Sequence, residues 1–162
     1  MSQKIVPSLW FDTQAEEAAE FYLTVFKNST IHSVSRYPEA SPGQAGTVMT
    51  VEFELDGQRF VGINGGPQFP FTEAVSFQIG CADQDEVDHY WEKLTDGGSE
   101  GRCGWLKDRF GVSWQVIPQG MGEILGDPDP ERAARAMQAM LAMSKLDVAA
   151  LRRAADGDQP PT

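Results

Sequence analysis

The chain has few of the residues that most often carry chemistry. Its 162 residues include two cysteines, Cys81 and Cys103, and two histidines, His32 and His89. The cysteines form no Cys-x-x-Cys pair and no zinc spacing, which excludes a disulfide framework and a zinc finger. They read as reduced thiols packed as small hydrophobes in a cytoplasmic protein. His89 shares a helix face with Glu86, Glu92 and Lys93, so it reads as solvated, and His32 reads as a structural strand residue. Neither cysteine has a histidine nearby in sequence, so no Cys/His nucleophile pattern is read. Gly62–Pro67 is glycine-rich but lacks the spacing of a nucleotide loop and runs into Pro67 instead of a helix. Positive charge is also scarce. Thirteen Lys and Arg face 24 Asp and Glu, a net charge of −11, which argues against nucleic acid and anionic membrane surfaces as partners. No apolar run approaches the roughly 18 residues that a membrane span needs. The N-terminal segment enters a strand pattern within a few residues, with no apolar leader stretch.

What is present is a regular succession of short elements. Ile5–Phe11 is a strand pattern. Thr13 and Glu16 have capping-box spacing, and Ala15, Ala18, Ala19, Tyr22 and Phe26 then recur on one helical face. Thr30–Tyr37 is strand-like, Pro38–Gly46 is a loop, and Thr47–Leu55 alternates strictly with Val51, Phe53 and Leu55 on one side. Asp56-Gly57 makes a hairpin turn into Gln58–Asn64. After an aromatic loop, Ala74–Gly80 is a strand. Asp83 and Glu86 open a helix whose apolar face carries Val87, Tyr90, Trp91 and Leu94. Gly101–Pro118 reads as two short strands joined by a tight Asp108–Gly111 turn, the second strand being Val112–Ile117. The second of these aims Ser113, Gln115 and Ile117 at one face and Val112, Trp114 and Val116 at the other.

The plan repeats. A shift of 69 positions places Ala18, Phe21, Tyr22 and Val25 over Val87, Tyr90, Trp91 and Leu94. The expected fold is α+β: two βαβββ-type repeats forming a curved mixed sheet around a cavity, plus C-terminal helices. The expected boundaries are one domain over residues 1–125, with repeats at about 1–66 and 72–120. A helical extension follows over 126–155, with Asp129 and Asp147 as N-caps and Pro130 at the first helical position. Residues 156–162, polar and with two prolines, read as a disordered tail. Ala133, Met137, Met140, Leu141 and Ser144 form one stripe of the extension, read as core packing.

Strand positions also carry aromatic and amide or hydroxyl groups that suit a small amphipathic ligand. Trp10, Asn64, Ser76, Gln78, Trp105, Asp108, Trp114 and Gln115, with Phe69 and Phe71 on the adjoining loop, are the candidate ligand-binding set.

The WFD at Trp10–Asp12, the NGGPQF at Asn64–Phe69, the GWLKDRFGVSWQ at Gly104–Gln115 and the tail DPDPERA resemble the PhnB-like branch of the vicinal-oxygen-chelate superfamily. That superfamily contains glyoxalases, bleomycin-resistance proteins and extradiol dioxygenases. Members of the branch often carry the label 3-demethylubiquinone methyltransferase. The resemblance runs from Ile5 to about Ala155. It implies a homodimer whose cavity binds a small molecule, and a metal held by one ligand from each of four strands. At those four positions this chain has Val6, Asn64, Ala74 and Gln115, and no metal or cofactor is expected. An enzyme on the same fold is the alternative, acting through a metal or through Asp108, Gln115 or His32. A methyltransferase is a further one, although the chain has no Gly-rich loop between a strand and a helix to hold the methyl donor.

Overall fold

The structure is a computed structural model and describes residues 3–41 and 44–158. The chain divides into two compact units, Met1–Phe71 and Thr72–Thr162.

The first unit holds β1 (Ser8–Phe11), α1 (Ala15–Val25), β2 (Thr30–Arg36), β3 (Val48–Leu55) and β4 (Gln58–Asn64). Its four-stranded sheet runs β1-β4-β3-β2, with β1 parallel to β4 and the other pairs antiparallel. β1 starts three residues later than the sequence pattern suggests. Pro7 has no N–H to give a ladder, although its carbonyl accepts from Val61 N at 3.0 Å. The β3–β4 turn is a two-residue hairpin with positive φ at both Asp56 (46°) and Gly57 (85°). A left-handed pair of this kind is why Asp-Gly stands there. The helical stripe read from sequence is the buried one: Ala15, Ala18, Ala19, Tyr22 and Phe26 pack on Val51, Phe53 and Phe60. The Tyr22 and Phe53 rings stack at 6.2 Å, and Phe53 and Phe60 at 5.4 Å.

The second unit repeats the order with β5 (Ser76–Cys81), α2 (Gln84–Thr95), β6 (Ser99–Glu100), β7 (Trp105–Lys107) and β8 (Ser113–Pro118). Its sheet runs β5-β8-β7-β6, with β5 parallel to β8. α2 buries Val87, Trp91 and Leu94 against Leu106, Trp114 and Val116. The other face of this sheet carries Ser76, Gln78, Trp105, Lys107, Ser113 and Gln115. Register sets that placement, because Ser76 pairs with Ser113, Gln78 with Gln115, and Lys107 with Ser113. The protein thus has the expected α+β architecture, with one open four-stranded mixed sheet and one helix in each repeat.

The extension belongs to the second unit and comprises α3 (Met121–Leu125), α4 (Pro130–Leu141) and α5 (Val148–Ala155). The five-residue α3 is too short to leave a periodic signal in the sequence. Asp129 and Asp147 cap as expected, accepting from Glu131 N and Ala150 N at 3.0 Å each. The α4 stripe differs from the sequence reading. Ala136 is the buried residue, whereas Met137 and Leu141 are 40% and 58% exposed. Met121, Leu146 and Leu151 form the extension's core, flanked by Met140 and Met143. Asp156 closes α5 and accepts from Arg132 at 2.7 Å, so the proposed tail begins as structure, and residues 159–162 lie outside the described residues.

Candidate functional site

In the first unit the predicted residues are largely engaged with the fold. Asn64 is buried at the end of β4. Its side-chain oxygen accepts from Ala15 N at 2.8 Å and its amide nitrogen donates to the Val48 carbonyl at 3.1 Å. Thr13 does not cap α1. Gln14 stands at the N-cap without a side-chain bond, and Asn64 meets the open N–H from 49 residues away. Trp10 donates its indole N–H to Gly66 O at 2.9 Å, and its ring lies on Gly65, where a β-carbon would stand 2.1 Å away. Phe69 meets Trp10 edge-on at 4.9 Å, and Phe71 meets Phe11 the same way at 5.2 Å. A pocket of about 590 Å³ lies beside Asn64 and Tyr37, rimmed by Asp12, Glu16 and Glu17.

In the second unit the predicted residues separate by face. Asp108 is buried and ties the turn together. One carboxylate oxygen accepts from Phe110 N at 2.9 Å and Val112 N at 3.1 Å, and the other accepts from the Trp114 indole at 2.9 Å. Trp114 points to the helix side and packs on Phe77 at 5.5 Å. Asp108 and Trp114 are therefore committed to the core and the turn, which explains why polar and aromatic groups stand there. Ser76, Gln78, Trp105 and Gln115 lie on the opposite face, where Gln115 Nε2 donates to Ser76 Oγ at 2.9 Å. The structure thus brings four predicted residues onto one sheet face and removes two.

A pocket of about 240 Å³ opens on this face, lined by Glu73, Ser99, Glu100, Gly101, Trp105, Leu106, Lys107 and Ser113. Ser113 is 1% exposed, and its hydroxyl has no hydrogen-bond partner among the described residues. Buried hydroxyls are nearly always paired, because leaving one unpaired costs roughly 1–3 kcal/mol. Lys107 Nζ forms an ion pair with the Glu73 carboxylate at the pocket, and this pair with its hydrogen bond holds Glu73 below the usual carboxylate range. Glu100 is occupied, accepting the Trp91 indole N–H at 2.9 Å. The sequence pattern aims Ser113 and Gln115 at one face, which suggests a lined cavity, but the candidate set contains Gln115 without Ser113, and nothing in the sequence points to Lys107 or Glu73. Alternation placed Ser113 on the correct face, but only packing shows that its hydroxyl is unpaired.

Burial, with Glu86 and Asp83 nearby, pushes the Cys81 thiol up to about 12, so it stays protonated near neutrality. His32 is exposed beside Glu54 at 3.8 Å, and His89 is exposed on α2. The four positions that the superfamily resemblance assigns to metal ligands do not suit a divalent cation. Val6 and Ala74 offer no side-chain donor, the Asn64 amide is spent on Ala15 and Val48, and Gln115 is neutral. Among the described residues, no three His, Cys, Asp or Glu side chains gather to hold an ion.

The family model for 3-demethylubiquinone-9 3-methyltransferase matches residues 3–117, and so ends before α3. Among solved structures, a Bacillus cereus PhnB protein with that description is 39% identical, with a TM-score of 0.66, covering 72% of this chain and 99% of its own. A Pseudomonas aeruginosa protein is 22% identical with a TM-score of 0.61, covering 72% of this chain and 98% of its own. The fosfomycin resistance protein FosX of Mesorhizobium loti is 14% identical with a TM-score of 0.56, covering 78% and 98%, and shares the fold. No functionally curated protein matches the chain. The matched span and the Bacillus likeness agree with the paired βαβββ repeats, and the chain belongs to the 3-demethylubiquinone-9 3-methyltransferase family, the PhnB-like branch of the vicinal-oxygen-chelate fold.

Proposed function

We propose that the chain is a small-molecule-binding protein of this fold, acting as a homodimer and without a metal ion. The observation that carries the reading is the unpaired, buried Ser113 hydroxyl in the pocket formed by Trp105, Lys107 and Glu73. A buried hydroxyl without a partner is costly in an empty pocket and useful in one that receives a polar ligand. The neighbouring Gln115–Ser76 pair extends the polar surface across the same sheet face. Dimerisation and the absence of metal are carried from the resemblance and from the chemistry of the donor set. The family description names methyl transfer, and the junctions entering the two helices argue against it. They read Asp12-Thr13-Gln14 into α1 and Ala82-Asp83 into α2, without glycine, and the Gly120 and Gly122 of the β8–α3 junction open a helix of only five residues.

A thermal-shift screen over metabolites, quinones and antibiotics tests binding, with Gln115→Leu as the control. The variant is expected to fold normally and lose the ligand-induced stabilisation, and an unchanged shift would remove Gln115 from the site. Elemental analysis of the purified protein tests the metal-free reading, which one tightly held transition metal per chain would overturn. Micromolar binding of S-adenosylmethionine by calorimetry would restore the methyltransferase reading, and light scattering that reports a monomer would end the dimer.

A further inference from the structure

We propose that the ligand of this pocket is a small organic monoanion, and that Glu73 is a tethered competitor which the ligand displaces from Lys107. The inference rests on the pocket reading above and adds the charge class of the ligand.

Three groups define the class. Lys107 is the single cation among the described residues that line the pocket. Ser113 is its cross-strand partner on β8, so the ammonium and the unpaired hydroxyl project from one face at adjacent positions. Trp105 stands two residues before Lys107 on β7, hence on the same face, half-buried and lining the same pocket. A carboxylate between Lys107 and Ser113 would accept from both, and its carbon body would lie along the indole. A cationic ligand would meet Lys107, and the second acid, Glu100, already accepts from Trp91.

Glu73 presents the functional group that such a ligand would bring. It sits in the segment 72–75, which lies outside every strand and is exposed throughout, and its side chain is 59% exposed. Its carboxylate is held by Lys107, with a contribution from its own backbone. Releasing it would break no strand ladder and expose no core. The exchange replaces one anion by another on the same ammonium, so the cost of breaking the Glu73 pair subtracts from ligand affinity. The net charge of −11 works in the same direction at long range by repelling anions.

The test is an NMR titration of the full chain that follows the Trp105 indole N–H, with benzoate, benzamide and benzylamine as probes. Benzoate is expected to move that resonance and to bind about tenfold more tightly than benzamide. Lys107→Met should weaken benzoate by about tenfold, whereas Glu73→Gln should tighten it several-fold. The pair is half-exposed, so neither change should unfold the chain. If benzamide or benzylamine moves the resonance as readily as benzoate, or if Glu73→Gln weakens benzoate, the anion proposal fails and the pocket reading stands. Should no probe shift the indole up to its solubility limit, the pocket reading itself is overturned.

Discussion

The two repeats meet the same problem, the open N-terminus of a helix that packs on a sheet, by different means. In the second repeat the cap is local. Asp83 accepts from Glu86 N at 2.9 Å, and the Glu86 side chain reaches back to Ala82 N at 2.7 Å. The first repeat has no such cap on α1, and the buried Asn64 amide serves α1 from the end of β4. A local cap stabilises the helix alone, whereas a remote one makes the helix depend on the sheet. The local cap also leaves Gln84 free, and that residue binds the extension. Its amide donates to Leu146 O at 2.9 Å and accepts from Val148 N at 3.0 Å. The repeats differ again on the sheet face away from the helix. In the first, Glu52 and Glu54 are answered by Arg59 and His32 on neighbouring strands. In the second, Ser113 is left unanswered.

This comparison can be broken most severely at Asp108. Asp108→Ala removes three acceptor contacts from a buried turn and should cost about 3 kcal/mol or more in urea unfolding. A loss below about 1 kcal/mol would mean that the turn does not depend on the carboxylate. Next comes the pair of caps. Asn64→Ala strands a buried N–H and a carbonyl and should cost about 2–3 kcal/mol, against about 1 kcal/mol for Asp83→Ala. Equal losses would erase the distinction between remote and local capping. Ser113→Ala should raise stability by about 1 kcal/mol, because it deletes an unpaired buried hydroxyl, and should weaken benzoate. A destabilised variant would show that the hydroxyl is satisfied in the folded protein.

The last expected effect is a pH dependence confined to alkaline conditions. The Cys81 thiol is raised by burial from 9.0 to about 12, so the unfolded chain loses this proton at lower pH than the folded one. The stabilising contribution is therefore fully present below pH 9 and is lost as pH rises towards 12. Cys81→Ala should flatten that part of the stability profile in calorimetric melts.

Much of this fold is legible in the chain because its signals are local. The stripe Ala15, Ala18, Ala19 and Tyr22 and the alternation Val51, Phe53 and Leu55 report which side faces a core, and burial follows them. The equivalence of Tyr22 with Trp91 and of Val25 with Leu94 survives intact, since both helices cover a sheet in the same way. The site is less legible. Trp114 and Asp108 look like ligand groups in a list of polar and aromatic strand residues, yet they satisfy each other across the turn. Thr13 and Glu16 show capping spacing that the helix does not use: the N-cap is Gln14, one residue later, and the open Ala15 N–H is met by Asn64.

Periodicity and turn chemistry determined by themselves the repeat, the order of elements and the helix faces, because each depends on neighbours a few residues apart. Tertiary structure alone decided which polar groups are spent and which are unpaired. Asn64, Asp108 and Ser113 are all polar residues at buried positions, and only the packed contacts around each, distant for Asn64 and within the turn for Asp108, distinguish two structural groups from one hydroxyl without a partner among the described residues. Hydrogen-bond satisfaction is a property of packed neighbours, and spacing along the chain does not encode it.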